Sequence, residues 1–380
     1  MKKFFLSLLA MAAISSSLYA QSSSLNWNVS DKTTITLGGF VRANTTYDFD
    51  GSLSGLDFIS TNIASSPSYS DEGCLGFDAS ASRIWLMINQ GTDNLGNVKV
   101  YFEGDFRGTN SAFRFRQAFV EFKGFVAGQT WSFFTDLPAQ APTMDIIGVG
   151  SRSFFRTALF GYRYSINDQL SAGISLESPA LTTDYISGYE PVSQRMPNIP
   201  IYIQAKGGMG HIKAAAVFRS LQYGDISSQE RVNVAGLGGQ LSGSLKACSA
   251  VTIYGQAIYG KGINTFLSDL STVGVGLSDV MTLNGSDMEA TPMGGASLGL
   301  SAKLAPKWSA ALSGSLTRNY GDQAYFAGDY KSTSFVTTTL MYNPISNITV
   351  GLEYLNGSRT DFGSDTAAAQ RLSFTVMYTL

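Results

Sequence analysis

Period-two alternation governs this chain, and it runs to the last residue. Leu372, Phe374, Val376, Tyr378 and Leu380 fall on one face; Ser373, Thr375 and Thr379 fall on the other, with Met377 the single apolar intruder. Alternate residues of a strand point to opposite sides, so this segment has one oily and one wet face. An unpaired strand edge is a liability in water and is not tolerated in lipid, where every backbone polar group needs an internal partner. Closing the last strand on the first removes the edge. The expected fold is therefore all-β: a transmembrane antiparallel β-barrel.

The start of the chain fits export. Met1-Lys2-Lys3 is a charged leader, Phe4 to Ile14 is apolar, and Ser15 to Ala20 is small and polar. This is the layout of a secretion signal, with cleavage expected after Ala20. The expected domains are a signal peptide over 1–20 and one barrel over 21–380. No later stretch offers the ~18 consecutive apolar residues of a membrane helix. Yet 44% of residues are hydrophobic and only 14% charged, against about 25% charged in an ordinary soluble domain. Oily residues dispersed over many short strands reconcile these figures and point to the outer membrane of a Gram-negative bacterium. A formal net charge of −2 excludes a polybasic nucleic-acid binder. Cys74 and Cys248 fall at opposite ends of the strands mapped below, too far apart to bridge.

Sixteen alternating segments are expected, at 33–47, 75–90, 97–108, 112–123, 125–132, 154–165, 170–178, 198–207, 211–223, 232–246, 250–260, 292–304, 307–318, 331–342, 347–357 and 370–380. Short turns alternate with long loops, the latter at 51–74, 133–153, 179–197, 261–291 and 358–369. Tight turns on one side and long loops on the other are the barrel pattern, and an even strand count brings both termini to the turn side. Aromatic residues recur at strand ends (Tyr47, Trp131, Tyr164, Tyr259, Trp308, Tyr342 and Tyr378), as expected of rings seated at the headgroup level of outer-membrane lipid.

The third segment is the clearest. Val98, Val100, Phe102 and Phe106 point one way; Lys99, Tyr101, Glu103, Asp105 and Arg107 point the other. Cations on the lipid face near mid-membrane cost roughly 2–4 kcal/mol each, so the polar stripe is expected to face a wet lumen. The same parity turns Arg42, Arg83, Arg114, Arg116, Arg163 and Arg219 inward, with Arg371. Phe40, Trp85 and Met87 follow them and narrow the pore. In the fourth segment strict alternation sends Gln117 and Glu121 outward, which suggests either a subunit interface covering the early strands or a local bulge that resets parity. The loop 133–153, third on its side, carries Asp136 and Asp145. Folded inward as a constriction, it would set these acids against the arginines.

Several stretches resemble DcaP-like porins. They are Gly128-Gln129-Thr130-Trp131-Ser132, Tyr101-Phe102-Glu103-Gly104-Asp105-Phe106, and Arg114-Phe115-Arg116-Gln117-Ala118-Phe119. Gly210-His211-Ile212 with Phe218-Arg219-Ser220-Leu221, Tyr259-Gly260-Lys261-Gly262-Ile263, Tyr342-Asn343-Pro344 and Gly351-Leu352-Glu353-Tyr354 are similar too. The resemblance implies a homotrimeric sixteen-stranded diffusion channel with an arginine-rich constriction, preferring small anionic solutes such as dicarboxylates and other organic acids. Arg42, Arg83, Arg107, Arg114 and Arg116 are the positions parity offers for that constriction. The chain departs from the pattern in ending on Leu380 rather than an aromatic residue, and in leaving little room before the first strand for a periplasmic helical extension.

Two other functions compete. One is a hydrolase of the outer membrane, but the chain has one histidine, His211, placed at a turn where a polar turn residue is the simpler role; no CxxC, HExxH or phosphate loop supports metal or nucleotide chemistry. No cofactor or metal is expected. The other is a structural or adhesive barrel with a plugged lumen, which the polar inner stripe opposes.

Overall fold

The computed structural model describes residues 24–50, 53, 55–64, 69–181, 186, 188–271, 277–282, 287–321 and 329–380. The proposed signal peptide at 1–20 lies outside them, as do parts of the loops at 51–74, 179–197 and 261–291. Sixteen antiparallel strands form one closed barrel: β1 (Thr33–Asp48), β2 (Cys74–Asp78 and Arg83–Thr92), β3 (Gly96–Asp105), β4 (Arg114–Phe122), β5 (Phe125–Trp131), β6 (Arg156–Ser165), β7 (Leu170–Glu177), β8 (Ile199–Gly207), β9 (Gly210–Asp225), β10 (Arg231–Lys246), β11 (Val251–Lys261), β12 (Pro292–Ala305), β13 (Trp308–Asn319), β14 (Tyr330–Tyr342), β15 (Ile348–Asp361) and β16 (Thr366–Thr379). No helix among the described residues is long and apolar enough to cross a membrane.

Closure is direct. β16 pairs with β1 from Phe40↔Thr379 to Asp48↔Arg371, and the Leu380 amide donates to the Gly39 carbonyl at 2.9 Å. Alternation has the expected sense: Phe374 is 46% exposed on the outer face, whereas Thr375 beside it is 1% exposed on the inner. Below the seam, an N-terminal strand that the sequence reading missed, Leu25–Ser30, turns at Asp31-Lys32 and pairs with the start of β1. It occupies the edge of β1 that β16 leaves uncovered.

Strand boundaries differ from the sequence map in physically simple ways. β2 is interrupted at residues 79–82, where Ser82 Oγ accepts the Arg42 amide. β15 and β16 extend past the oily zone as a polar hairpin to Asp361 and from Thr366, so the long loop expected at 358–369 shrinks to residues 362–365. Trp131 does not belong to a lipid-facing girdle. Its ring packs on Phe154 with centroids 4.6 Å apart and under the Arg156 guanidinium. Tyr47, Tyr164, Tyr259, Trp308 and Tyr378 are exposed as expected. Cys74 and Cys248 are free thiols, on the loop and turn sides respectively.

The barrel is not hollow. Numbering the loop-side connections in order, L3 (132–155) and the described parts of L1 (49–73) and L6 (262–291) turn into it. Phe134 of L3 packs with Ile263, Phe266, Leu267 and Leu270 of L6 against Val217, Ile258 and Met293 of the wall. Leu53, Phe58 and Ile63 of L1 pack with Val149 of L3 on Phe335 and Leu355. Apolar clusters thus fill the lumen along β9–β15. Inward glycines make the seats: a Cβ on Gly161 would lie 2.6 Å from the Phe133 ring, one on Gly299 2.5 Å from Ala141 Cβ, and one on Gly351 would collide with Met144 Sδ. Replacing Gly351 by Val should leave a folded, heat-modifiable barrel but expel Met144, at an overpacking cost of ~1–3 kcal/mol. Faster chymotrypsin cleavage within L3 and a lower melting temperature are the expected readouts; an unchanged digest would show that the seat does not hold the loop.

Candidate functional site: a charged lumen wall

The site is built on β2–β6. Glu103 and Asp105 come from the inner face of β3. Arg116 joins them, its Nε donating to Glu103 Oε1 at 2.7 Å and its Nη1 to Asp105 Oδ2 at 2.8 Å. Arg114 grips Asp105 through two parallel hydrogen bonds of 2.9 and 2.8 Å. Paired forks of this kind are strong and directional. Arg83 reaches Glu103 at 3.8 Å only, and the Tyr101 hydroxyl donates to Glu103 Oε2 at 2.9 Å. Arg156, which the sequence reading did not single out, lies within electrostatic reach of Arg83, Arg114 and Arg116. Its guanidinium sits 4.9 Å from the centre of the Trp131 ring. Buried nitrogens of Arg83 and Arg156 have no hydrogen-bond partner. Four guanidinium groups therefore face two carboxylates.

A β-bulge makes this clustering possible. Glu103 pairs with Gln117 and Gly104 with Phe115, so Arg116 is the extra residue of β4. Bulges re-aim side chains in this way. The same bulge corrects the sequence reading of β4. Gln117 and Glu121 lie opposite Glu103 and Lys99 and face the lumen, so they give no ground for a subunit interface. Gln117 accepts from Thr130 at 2.8 Å, and Glu121 meets Lys99 and Arg163 at 3.4 Å each. Next to the charges runs an aromatic ribbon. Trp85 and Tyr101 are stacked with centroids 6.0 Å apart, Tyr101 and Phe119 are 5.3 Å apart, and Lys99 lies 5.0 Å from the centre of the Phe119 ring.

The remaining arginines do other things. Arg42 donates to the Met144 carbonyl at the tip of L3. Arg107 is held between Asp57 and Asp78 at 2.7 and 2.9 Å. Arg219 is buried against Asp279 at 2.8 Å and also bonds the Gly262 carbonyl at 2.5 Å. Arg371 pairs with Asp48 at 2.6 Å and donates to the Gly55 carbonyl. All four face inward as expected, but each fastens a loop to the wall. Burial, reinforced by the charge of Asp145, pushes the Asp57 carboxyl up to about 6 despite its Arg107 partner.

L3 does fold inward, but its acids do not meet the arginine cluster. Asp136 accepts from Ser242 Oγ at 2.6 Å and lies 3.0 Å from His211 Nε2, on the β9–β10 side. Asp145 accepts from its own loop's Ile147 and Gly148 amides and from Phe58 of L1. Glu353 of β15 holds the tip, accepting the Met144 and Asp145 amides at 3.1 and 2.5 Å. His211 is no solvated turn residue: its ring faces the lumen, with Nδ1 3.0 Å from Ser244 Oγ. Ser244, His211 and Asp136 are the residue types of a hydrolytic triad, but the ring nitrogens are used in the reverse of the chymotrypsin order, and the contacts tie a loop to a wall. Among the described residues no cluster of His, Cys, Asp or Glu has the form of a metal site.

The polar lumen inside a closed, lipid-belted barrel is the geometry of a diffusion channel, and the family comparison agrees: the model of a porin subfamily matches residues 31–380. The chain belongs to this porin subfamily. It is an outer-membrane channel protein. The outer-membrane channel DcaP of Acinetobacter baumannii has the same fold, with a TM-score of 0.80 over 93% of this porin and 99% of that chain, at 19% identity. An anion-selective porin from Comamonas acidovorans superposes with a TM-score of 0.61 over 92% of this porin and 100% of that chain, at 13% identity. OmpT of Vibrio cholerae, in a trimer form, gives 0.55 over 92% and 100%, at 11% identity. No curated protein sequence matches the porin.

The two arginines of β4 should differ in worth. Arg116 has a 3% exposed side chain and links two buried carboxylates, whereas Arg114 is 42% exposed. Arg116→Met should destabilise the refolded porin by about 3 kcal/mol, the cost of stranding a buried charge. Arg114→Met should cost about 1 kcal/mol or less. Equal shifts in urea midpoint would contradict the burial difference.

Proposed function

We propose that this porin passes small hydrophilic solutes with a preference for organic anions, selected along the β2–β6 wall. The observation that carries the reading is the excess of guanidinium over carboxylate groups there, with Arg83 and Arg156 incompletely paired. An anion entering a narrow pore loses hydration, and fixed donors lining the path replace part of it. Planar guanidinium groups suit carboxylates best. Lys99 and Arg163, sharing the single carboxylate of Glu121, continue the positive surface toward the turn side. The half-buried ribbon of Trp85, Tyr101 and Phe119 offers a flat surface to the apolar part of an organic acid. Support also comes from the anion-selective relative named above.

A homotrimer is part of the proposal. β3–β8 are 7–10 residues long, whereas β9, β10 and β12–β16 have 12–16. Phe102, Phe115, Phe125 and Phe160 stand exposed on the outer face of the short side, while the long side presents mainly aliphatic residues such as Leu241, Leu298, Leu312 and Leu316. Exposed aromatic residues are favoured in protein interfaces, and a short wall suits burial against neighbours better than a full lipid span. The trimer form of the Vibrio cholerae relative is in keeping with this. The apolar packing of L3 on L6 inside the barrel favours a second reading, a barrel closed at rest; absence of conductance from folded protein would select it.

In planar bilayers under a salt gradient, the wild-type reversal potential should favour anions. The Arg83→Gln, Arg156→Gln double variant should lose most of that preference while still conducting; an unchanged potential would refute the assignment. Acidity adds a second test. The Asp57 carboxyl takes up its proton as pH falls through about 6, removing a negative charge beside Arg107 and making the lumen more positive. Anion preference should rise between about pH 8 and pH 5, and Asp57→Asn should flatten that rise. A rise that persists fully in Asp57→Asn would assign it to another group.

A further inference from the structure

We propose that His211 is a positioning residue for conduction: by bridging Ser244 on β10 and Asp136 on L3, it pins the foot of the loop to the β9–β10 wall instead of the arginine cluster. The inference rests on the reading of this protein as an open channel. Its starting point is a choice that electrostatics alone would make differently. L3 leaves β5 at the foot of the arginine wall, and Asp136 is only five residues beyond Trp131. Four guanidinium groups stand on that wall, two of them incompletely paired. A carboxylate on a loop rooted beside them would be drawn there and would lie across the route along β2–β6.

The structure shows Asp136 captured on the other side. His211 Nε2 lies 3.0 and 3.1 Å from its two oxygens, and Ser242 Oγ donates to it at 2.6 Å. The preceding residue is held too, since Lys213 Nζ donates to the Thr135 carbonyl at 2.7 Å. His211 and Ser244 are direct cross-strand partners on the inner face. That register fixes the ring plane through the 3.0 Å contact of Nδ1 with Ser244 Oγ, so Nε2 is aimed at Asp136 before the loop arrives. The imidazole can present one N–H to Asp136 and use its other nitrogen for the serine. Burial works against the Asp136 charge, but the His211 hydrogen bond and the Lys213 charge outweigh it and hold its carboxyl below the usual range. Asp136 is therefore kept anionic, and would remain attractive to the arginines if released.

Single-channel recording tests this. His211→Ala should make closures more frequent by about tenfold or more, the factor expected for losing one hydrogen bond to a charged group, with the open-state reversal potential unchanged. Adding Asp136→Asn should suppress those closures, because an amide is not drawn to the arginine cluster. His211→Gln, which keeps a neutral donor, should restore much of the wild-type behaviour. Ser244→Ala, a milder change that leaves the ring in place, should raise closures by a smaller factor and serves if His211→Ala fails to fold. Unchanged closure frequency in His211→Ala or, should it not fold, in Ser244→Ala would overturn the proposal. So would closures that Asp136→Asn fails to suppress, since a loop that is merely loosened would close regardless of its charge. Failure of the anion reading would appear in the wild-type reversal potential, and failure of the channel reading as absent wild-type conductance, neither of which is a change in closure frequency.

Discussion

The pairing of β16 with β1 is the constraint on which everything else rests. In hydrocarbon an open strand edge leaves a row of backbone groups without partners, each at a cost of several kcal/mol. The ladder from Phe40↔Thr379 to Asp48↔Arg371 removes that row. Its inner face is polar and internally bonded, with Ser373 and Thr375 hydroxyls both donating to Asn44. Once the cylinder is closed, the pleat decides the rest. Every second residue faces a confined interior, where polar groups are either wetted or matched with one another.

The interior is then divided by what the arginines do. Arg42, Arg107, Arg219 and Arg371 spend their donors on loop carbonyls or on carboxylates beside the loops. Loop backbone brought into a barrel needs such donors, because it carries no ladder of its own. Glu353 supplies the complementary acceptor for two loop amides. Glycines at 161, 299 and 351 leave room for the chain that these groups hold. The apolar packing of the loops lies mainly along β9–β15, whereas Glu103, Asp105, Arg114 and Arg116 of the charged wall bond to one another.

The sequence made the barrel legible because alternation is a local signal: strand number, turn placement and the inner stripe of β3 all follow from period two. It made the site only partly legible. Parity says that Arg42, Arg107 and Arg219 point inward, but whether a loop covers them depends on contacts far away in the chain. Parity turned Arg116 inward, but the bulge at that residue inverted Gln117 and Glu121, since one inserted residue reverses every side chain that follows. Arg156 went unnoticed because it follows a long loop, where no alternation fixes its direction. The N-terminal strand was missed for the opposite reason, being too short to stand out and defined only by the edge that β16 leaves free.

Balance within the cluster matters as much as its sign. Four uncompensated guanidinium groups would repel one another and would bind an organic anion too firmly to release it, whereas conduction needs entry and exit to be comparably easy. Glu103 and Asp105 prevent this by occupying Arg116 fully and Arg114 in large part. On the proposed reading that leaves Arg83, 3.8 Å from Glu103 and with a side chain 20% exposed, together with Arg156, as the groups a passing carboxylate would meet. On the proposed reading the fixed acids hold the arginines in a defined array and cap the depth of the anion well. Selectivity then comes from two loosely paired guanidinium groups rather than from the full positive charge of the wall.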